Sequence, residues 1–149
     1  MDAGSTEAET IVIAADHAGV ELKQTLVAEL GRLGHGVTDL GTAAGQPVDY
    51  PDMADRLAAA MSAGDGRRGI LICGTGIGIS IAANRHRALR AALCHDVSTA
   101  RLSREHNDAN VLVLGARIVG AEVAKDCLAA FLATPFAGGR HLPRVAKLA

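Results

Sequence analysis

Five short apolar runs, most of them leading into a stretch of helical spacing, set the plan of this chain. Thr10-Ile11-Val12-Ile13-Ala14-Ala15 is continuous and reads as a strand buried on both faces. Asp16 stands at its carboxyl end, where it can cap a helix or face a ligand. Leu22, Leu26, Leu30 and Leu33 then recur on one helical face, with Glu21, Lys23 and Glu29 expected outside and Gly34 and Gly36 as the stop. Val37 to Leu40 is a short second strand, residues 41–50 a loop, and Pro51 suits the first turn of a helix through Ala63. After a Gly64-Asp65-Gly66 turn, Gly69-Ile70-Leu71-Ile72 is a third buried strand ending in Cys73. Glycines follow at 74, 76 and 78, with Thr75 and Ser80 among them, and Ile79 to Asn84 continues as a helix. Arg90 to Cys94 and Asn110 to Leu114 are the last two strands, separated by a short helix from Val97 to Glu105. Val119 to Ala133 is a helix packing through Val123, Cys127, Leu128, Phe131 and Leu132. Pro135 and Gly138-Gly139 break it, leaving the basic segment Arg140 to Arg144. There is no repeat and no linker.

This alternation predicts a doubly wound α/β fold: a five-stranded parallel sheet, Rossmann- or flavodoxin-like, with helices on both faces. Ligands of such sheets sit beyond the carboxyl ends of the strands, near the switch in strand order. That rule selects Asp16 and His17, then Cys73 to Gly78, then His95 and Asp96, then Gly115 and Arg117. His106 and Asn107 precede the fifth strand, at its opposite end. They would reach such a site only through a loop or in a neighbouring subunit.

Composition narrows the picture. The 149 residues suit one domain, expected over residues 10–149, with the polar and acidic residues 1–9 as a disordered tail rather than a signal peptide. The chain is 49% hydrophobic but only 2% aromatic, so its core is aliphatic. A net charge of −1 without a basic stripe, and few aromatic rings for base stacking, argue against nucleic acid. No apolar run is long enough to span a membrane. Cys73, Cys94 and Cys127 are widely spaced and odd in number, which predicts reduced thiols, no disulfide framework, no metal site and a cytoplasmic location.

The glycine segment follows a buried strand and opens a helix, so it aims backbone N–H groups at one spot and favours an anion there. It is not a Walker loop, and Ile79 stands where a dinucleotide fingerprint needs its last glycine. Cys73 is either a small core residue or a thiol activated by its position, and the pattern alone leaves both open. Cys94 and Cys127 read as core. His35 and His86 read as solvated, His95 stays open, and His17 beside Asp16 suits a site. His106 lies in a polar patch that suits either a site or a plain helix end. Arg140, His141 and Arg144 are either a solvated tail or a phosphate-binding loop. Taken together, a thiol, an anion cradle, a histidine acid and an arginine cluster fit proton transfer beside a carbonyl in a phosphorylated substrate.

These residues resemble a known family. Ala14 to Gly19, Asp49-Tyr50-Pro51, Ile72 to Asn84, Leu102 to Asn110, Gly115-Ala116-Arg117 and Gly138 to His141 are similar, in this order, to ribose-5-phosphate isomerase type B. The wider family includes galactose-6-phosphate and allose-6-phosphate isomerases. The resemblance implies a cofactor-free, metal-free aldose–ketose isomerase that interconverts ribose 5-phosphate and ribulose 5-phosphate through a cis-enediolate. The same chemistry on a tetrose 4-phosphate, allose 6-phosphate or galactose 6-phosphate is the alternative. It implies Cys73 as the base between C2 and C1, Thr75 as a positioning group, and the backbone of Gly74, Gly76, Ile77 and Gly78 as the cradle for the enediolate. His106 would open the sugar ring, and Asp16, His17, Tyr50 and Asn107 would line it. Arg117, Arg140 and Arg144, with His141, would hold the phosphate. One branch of the family uses a glutamate base in place of this cysteine; Ile79 stands at that position here. The resemblance also implies a homodimer or homotetramer with sites shared between subunits.

Overall fold

In the computed structural model, which describes residues 7–42 and 46–149, the five apolar runs form one parallel sheet in the order β2-β1-β3-β5-β4. The strands are β1 (Thr10–Ala15), β2 (Gly36–Asp39), β3 (Arg68–Cys73), β4 (Ala91–Leu93) and β5 (Val111–Gly115). The helices are α1 (Val20–Arg32), α2 (Tyr50–Ser62), α3 (Ile77–Ala83), α4 (Val97–Asn107), α5 (Ala121–Ala133) and α6 (Leu142–Ala146). This is the doubly wound, Rossmann-like architecture that the sequence predicts.

The pleat divides each central strand between two cores. Ile11, Ile13, Ile70, Ile72, Leu112 and Leu114 face α1, α4 and α5, where Leu26, Leu30, Ala100, Cys127, Leu128 and Phe131 meet them. Val12, Ala14, Leu71, Cys73, Val111 and Val113 face α2 and α3 and pack on Met53, Leu57, Ile79 and Ala83. Burial on both faces is why β1, β3 and β5 read as unbroken apolar runs rather than alternating ones. The chain leaves β1 for β2 on one side and returns to β3 on the other. The switch in strand order therefore lies between β1 and β3, whose carboxyl ends carry Asp16 and Cys73.

Several sequence expectations change. Lys23 lies inward, 4% exposed, because the Asp39 carboxylate at the end of β2 takes its ammonium at 2.7 Å. His35 is also buried: its Nδ1 accepts from Glu9 N at 3.3 Å. His86 pairs with Asp55 at 2.7 Å instead of standing free in solvent. Val123 is exposed, and Ala124 takes the buried position on α5. α4 runs two residues past its expected end, so His106 and Asn107 form its last turn. Residues 140–144 form part of a 3-10 turn (Gly139–His141) and of α6 rather than a plain tail. Residues 1–6 of the expected N-terminal tail, and part of the loop before α2, lie outside the described residues. Glu9, its last residue, is fixed by two hydrogen bonds from Arg68 at 2.8 and 2.9 Å.

Candidate active site

The carboxyl ends of β1 and β3 lie side by side, with Asp16 N donating to Ile72 O at 3.1 Å. The Asp16 side chain is nearly buried and accepts from Ala18 N at 3.0 Å, capping the 3-10 turn His17–Gly19. His17 is exposed; its Nδ1 accepts from Val48 N at 3.2 Å, so a neutral His17 carries its proton on Nε2.

β3 ends at Cys73, 4% exposed, and the chain then turns so tightly that Gly76 N returns to the Cys73 Sγ at 3.2 Å. An N–H aimed at sulfur is the contact that a thiolate charge would use. Gly76 holds a left-handed backbone (φ +79) at the N-cap of α3, and any Cβ there would strike Leu93. Thr75 Oγ1 accepts from Ile77 N at 3.2 Å. The N–H groups of Gly74, Thr75 and Gly78 have no acceptor among the described residues, so the turn presents open donors beside the thiol.

The exit of β5 holds this turn from the other side. Ala116 N donates to Cys73 O at 2.9 Å and Arg117 N to Gly74 O at 2.8 Å. Gly115 makes that approach possible, since a Cβ there would lie only 2.5 Å from the Thr75 carbonyl carbon. The Arg117 guanidinium lies over Gly74, with Cζ 3.5 Å from where a Cβ would stand. Tyr50, the first residue of α2, rests its ring on Gly78, and a Cβ at 78 would lie 2.5 Å from Tyr50 Cζ. Asp16, His17, Tyr50, Cys73, Gly74, Thr75, Gly76, Ile77, Gly78 and Arg117 thus form one surface at the switch point. His95 is exposed beyond β4, at the edge of the sheet and separated from the switch by β5.

The other predicted site residues gather elsewhere. His106 and Asn107 end α4 at the amino edge of the sheet, five and four positions before Val111, where β5 and its register with β3 begin. The five residues of β5, at about 3.3 Å each, put roughly 15 Å between the two edges. Here His106 stacks on His141, with ring centroids 4.4 Å apart and planes 18° from parallel. Arg140 and Arg144, both exposed, flank His141. Arg104 fastens this segment to α4, donating to Thr134 O at 3.1 Å and to Asp108 Oδ1 at 2.9 Å, while Ala137 N donates to Glu105 O at 3.0 Å. Burial, then the charges of Arg140, His106 and Arg144, pull the His141 imidazole below its ordinary value, opposed by Glu105.

Burial also pushes up the other two thiols: Cys94 is raised, and Cys127 reaches about 11. Both belong to the core, as the sequence suggests. Among the described residues no three His, Cys, Asp or Glu side chains gather as ligands for a metal ion. The sequence did not disclose the His106–His141 stack, which joins residues 35 positions apart, or the seat that Gly115 provides for Thr75. Glycines preceding a histidine-arginine pair were the only signal of the former.

The chain is similar to known proteins over most of its length. The family model described as Ribose/Galactose Isomerase matches residues 11–148. Ribose-5-phosphate isomerase B of Escherichia coli is 47% identical over 135 residues, covering 91% of each chain. D-erythrulose-4-phosphate isomerase of Pectobacterium atrosepticum is 44% identical over 140 residues, covering 93% of this chain and 92% of the relative. Among solved structures, ribose 5-phosphate isomerase B of Anaplasma phagocytophilum superposes with a TM-score of 0.92 at 49% identity, covering 98% of this chain and 100% of that one.

Proposed function

The chain belongs to the ribose/galactose isomerase family and is an isomerase; from that membership we propose that it interconverts D-ribose 5-phosphate and D-ribulose 5-phosphate. The observation that carries the chemistry is the Cys73 sulfur at the lip of a turn with open backbone donors. In the proposed reaction the Cys73 thiolate removes the proton from C2 and returns it to C1, while a proton passes from the O2 oxygen to O1. Electrons are only redistributed within the sugar, so the step needs no external oxidant or reductant. Negative charge on the enediolate oxygens is taken by the open N–H groups of Gly74, Thr75 and Gly78, since those of Gly76 and Ile77 are held by Cys73 Sγ and Thr75 Oγ1. Fixed donors of this kind stabilise a transition state without having to reorganise. Thr75, tied to Ile77 N, holds the reacting end, and Asp16, His17 and Tyr50 line the carbon chain.

His106 opens the furanose ring by protonating its oxygen, with Asn107 beside it, and Arg140 and Arg144 join Arg117 on the phosphate. Within one protomer these groups lie at opposite edges of the sheet. The reading therefore requires a homodimer, or a pair of dimers, in which His106 of the partner subunit faces Cys73. Tyr50, Ile77 and Ile81 support such an assembly: they expose apolar surface beside the thiol loop, with Ile77 at 54% and Ile81 at 56%.

The likeness to D-erythrulose-4-phosphate isomerase favours a second reading, the same chemistry on a tetrose phosphate. Turnover compared across ribose 5-phosphate, erythrose 4-phosphate, allose 6-phosphate and galactose 6-phosphate tests both. The first reading expects the highest kcat/KM with ribose 5-phosphate; a maximum with another sugar phosphate replaces it.

A further inference from the structure

His141 is the most enclosed titratable group at the amino edge, 8% exposed, and the reaction outlined above gives its ring no proton to move. Its position is nevertheless built with care. Gly138 and Gly139 take consecutive positive φ angles, +66 and +57, a turn that side chains other than glycine rarely adopt. The Glu105 carbonyl and the Arg104 guanidinium bind the preceding segment to α4. The result is one imidazole lying face to face on another, 4.4 Å between centroids and 18° from parallel. Neither ring is hydrogen-bonded among the described residues, so stacking is what sets the plane of His106.

Face-to-face stacking has an electrostatic consequence. Two imidazolium rings at this separation repel each other, whereas a neutral aromatic face attracts a cationic ring. The charged groups facing the pair within the protomer are Glu105 from α4, Arg140 from the 3-10 turn and Arg144 from α6. The two arginines lie on the segment that carries His141 and lower its proton affinity, against the smaller opposing effect of Glu105 from α4. Burial, the two arginines and the second ring together therefore disfavour a proton on His141.

We infer that His141 is a positioning residue for His106: a neutral ring whose face fixes the plane of the His106 imidazole and leaves the pair's one proton on the ring that must donate it. This rests on the ring-opening role given to His106 above. It assigns His141 a part separate from phosphate binding, since its π face is committed to the stack and its proton affinity is reduced.

Two measurements on the full-length protein test it. The first is an NMR titration of the imidazole Cε1 protons in the absence of substrate, assigned with His106→Asn and His141→Phe. The stack predicts separate transitions, with His141 taking up its proton at lower pH than His106. Coincident midpoints, or the reverse order, overturn the inference. The second compares ribose 5-phosphate with erythrose 4-phosphate, which lacks the hydroxyl needed to close a furanose. His141→Ala should lower kcat on ribose 5-phosphate about tenfold and leave the open-chain sugar nearly unaffected, while His141→Phe restores most of the loss by restoring a flat face. A rise in KM shared by both sugars at unchanged kcat would make His141 a phosphate ligand and overturn the proposal. If the wild-type protein turns over neither sugar, the functional reading fails and with it the positioning role; the titration then still decides whether the stack governs the proton.

Discussion

At the carboxyl edge of the sheet the reactive groups are held by backbone. Cys73 receives an N–H from Gly76, its carbonyl is bound by Ala116 N, and the turn between them is seated on Gly115. At the amino edge the candidate groups are held by side chains: Arg104 reaches Thr134 O and Asp108, and His141 lies on His106. The first arrangement is suited to charge that appears and vanishes at a fixed spot, because backbone dipoles do not need to move. The second is suited to binding and releasing a proton or a charged group, because its cations are exposed and its rings titrate. Each edge lacks what the other has.

That difference gives the largest test. Cys73→Ala should abolish turnover of ribose 5-phosphate, a loss on the order of 10⁴-fold, with an unchanged circular dichroism spectrum. His106→Asn should lose about 10²-fold or more on the same substrate. Mixed, refolded and allowed to reassort, the two inactive variants should regain about a quarter of wild-type activity: half of the dimers are hybrids, and each hybrid has one site with neither substitution. No recovery on mixing, with hybrid dimers demonstrated by native mass spectrometry, would break the idea of a shared site.

A smaller effect separates the two kinds of glycine in this chain. Gly115→Ala forces a methyl group against the Thr75 backbone, and overpacking of this kind costs about 1–3 kcal/mol. Since the contact is with the thiol-bearing turn, kcat should fall further than the melting temperature suggests. Gly31 lies inside α1 with nothing within 4 Å of a Cβ, so Gly31→Ala should stabilise by about 0.4–1 kcal/mol and leave kcat alone. If both substitutions changed kcat equally, Gly115 would not be a seat for the turn.

The two edges were unequally legible in the sequence. The carboxyl edge is almost local: Ile70 to Asn84 contains a buried strand, the thiol, the turn and a helix, and the rule for parallel sheets places them near Asp16. The amino edge depends on contacts across 30 residues or more. Arg104 to Thr134 and His106 to His141 are set by where α5 ends and by a double-glycine turn, neither of which has a periodic signal. His35 and Lys23 misled for a related reason. Polar residues are read as outside unless a partner is visible, and their partners Glu9 and Asp39 lie 26 and 16 positions away.

The smallest predicted effect is on stability, and it belongs to the amino edge. Burial alone would raise the Glu9 carboxyl, but the hydrogen bonds and charge of Arg68 together overcome this and hold it below the usual carboxylate range. A carboxyl lowered in the folded state stabilises above its unfolded value, and that contribution is lost as the pH falls through the folded one. His141 is lowered too, and for a histidine this means that the unfolded chain binds the proton more readily. Stability therefore decreases as the pH falls below the ordinary histidine value, and the full loss is reached at the folded value. The two shifts act in the same direction but in different windows, the histidine first and the carboxylate at more acid pH. Melting temperature followed from pH 8 to pH 3 should accordingly decline in two stages. His141→Phe should flatten the upper stage and Glu9→Gln the lower one. A decline unaffected by either substitution would place the acid sensitivity elsewhere in the fold and would leave the ring stack without influence on folding.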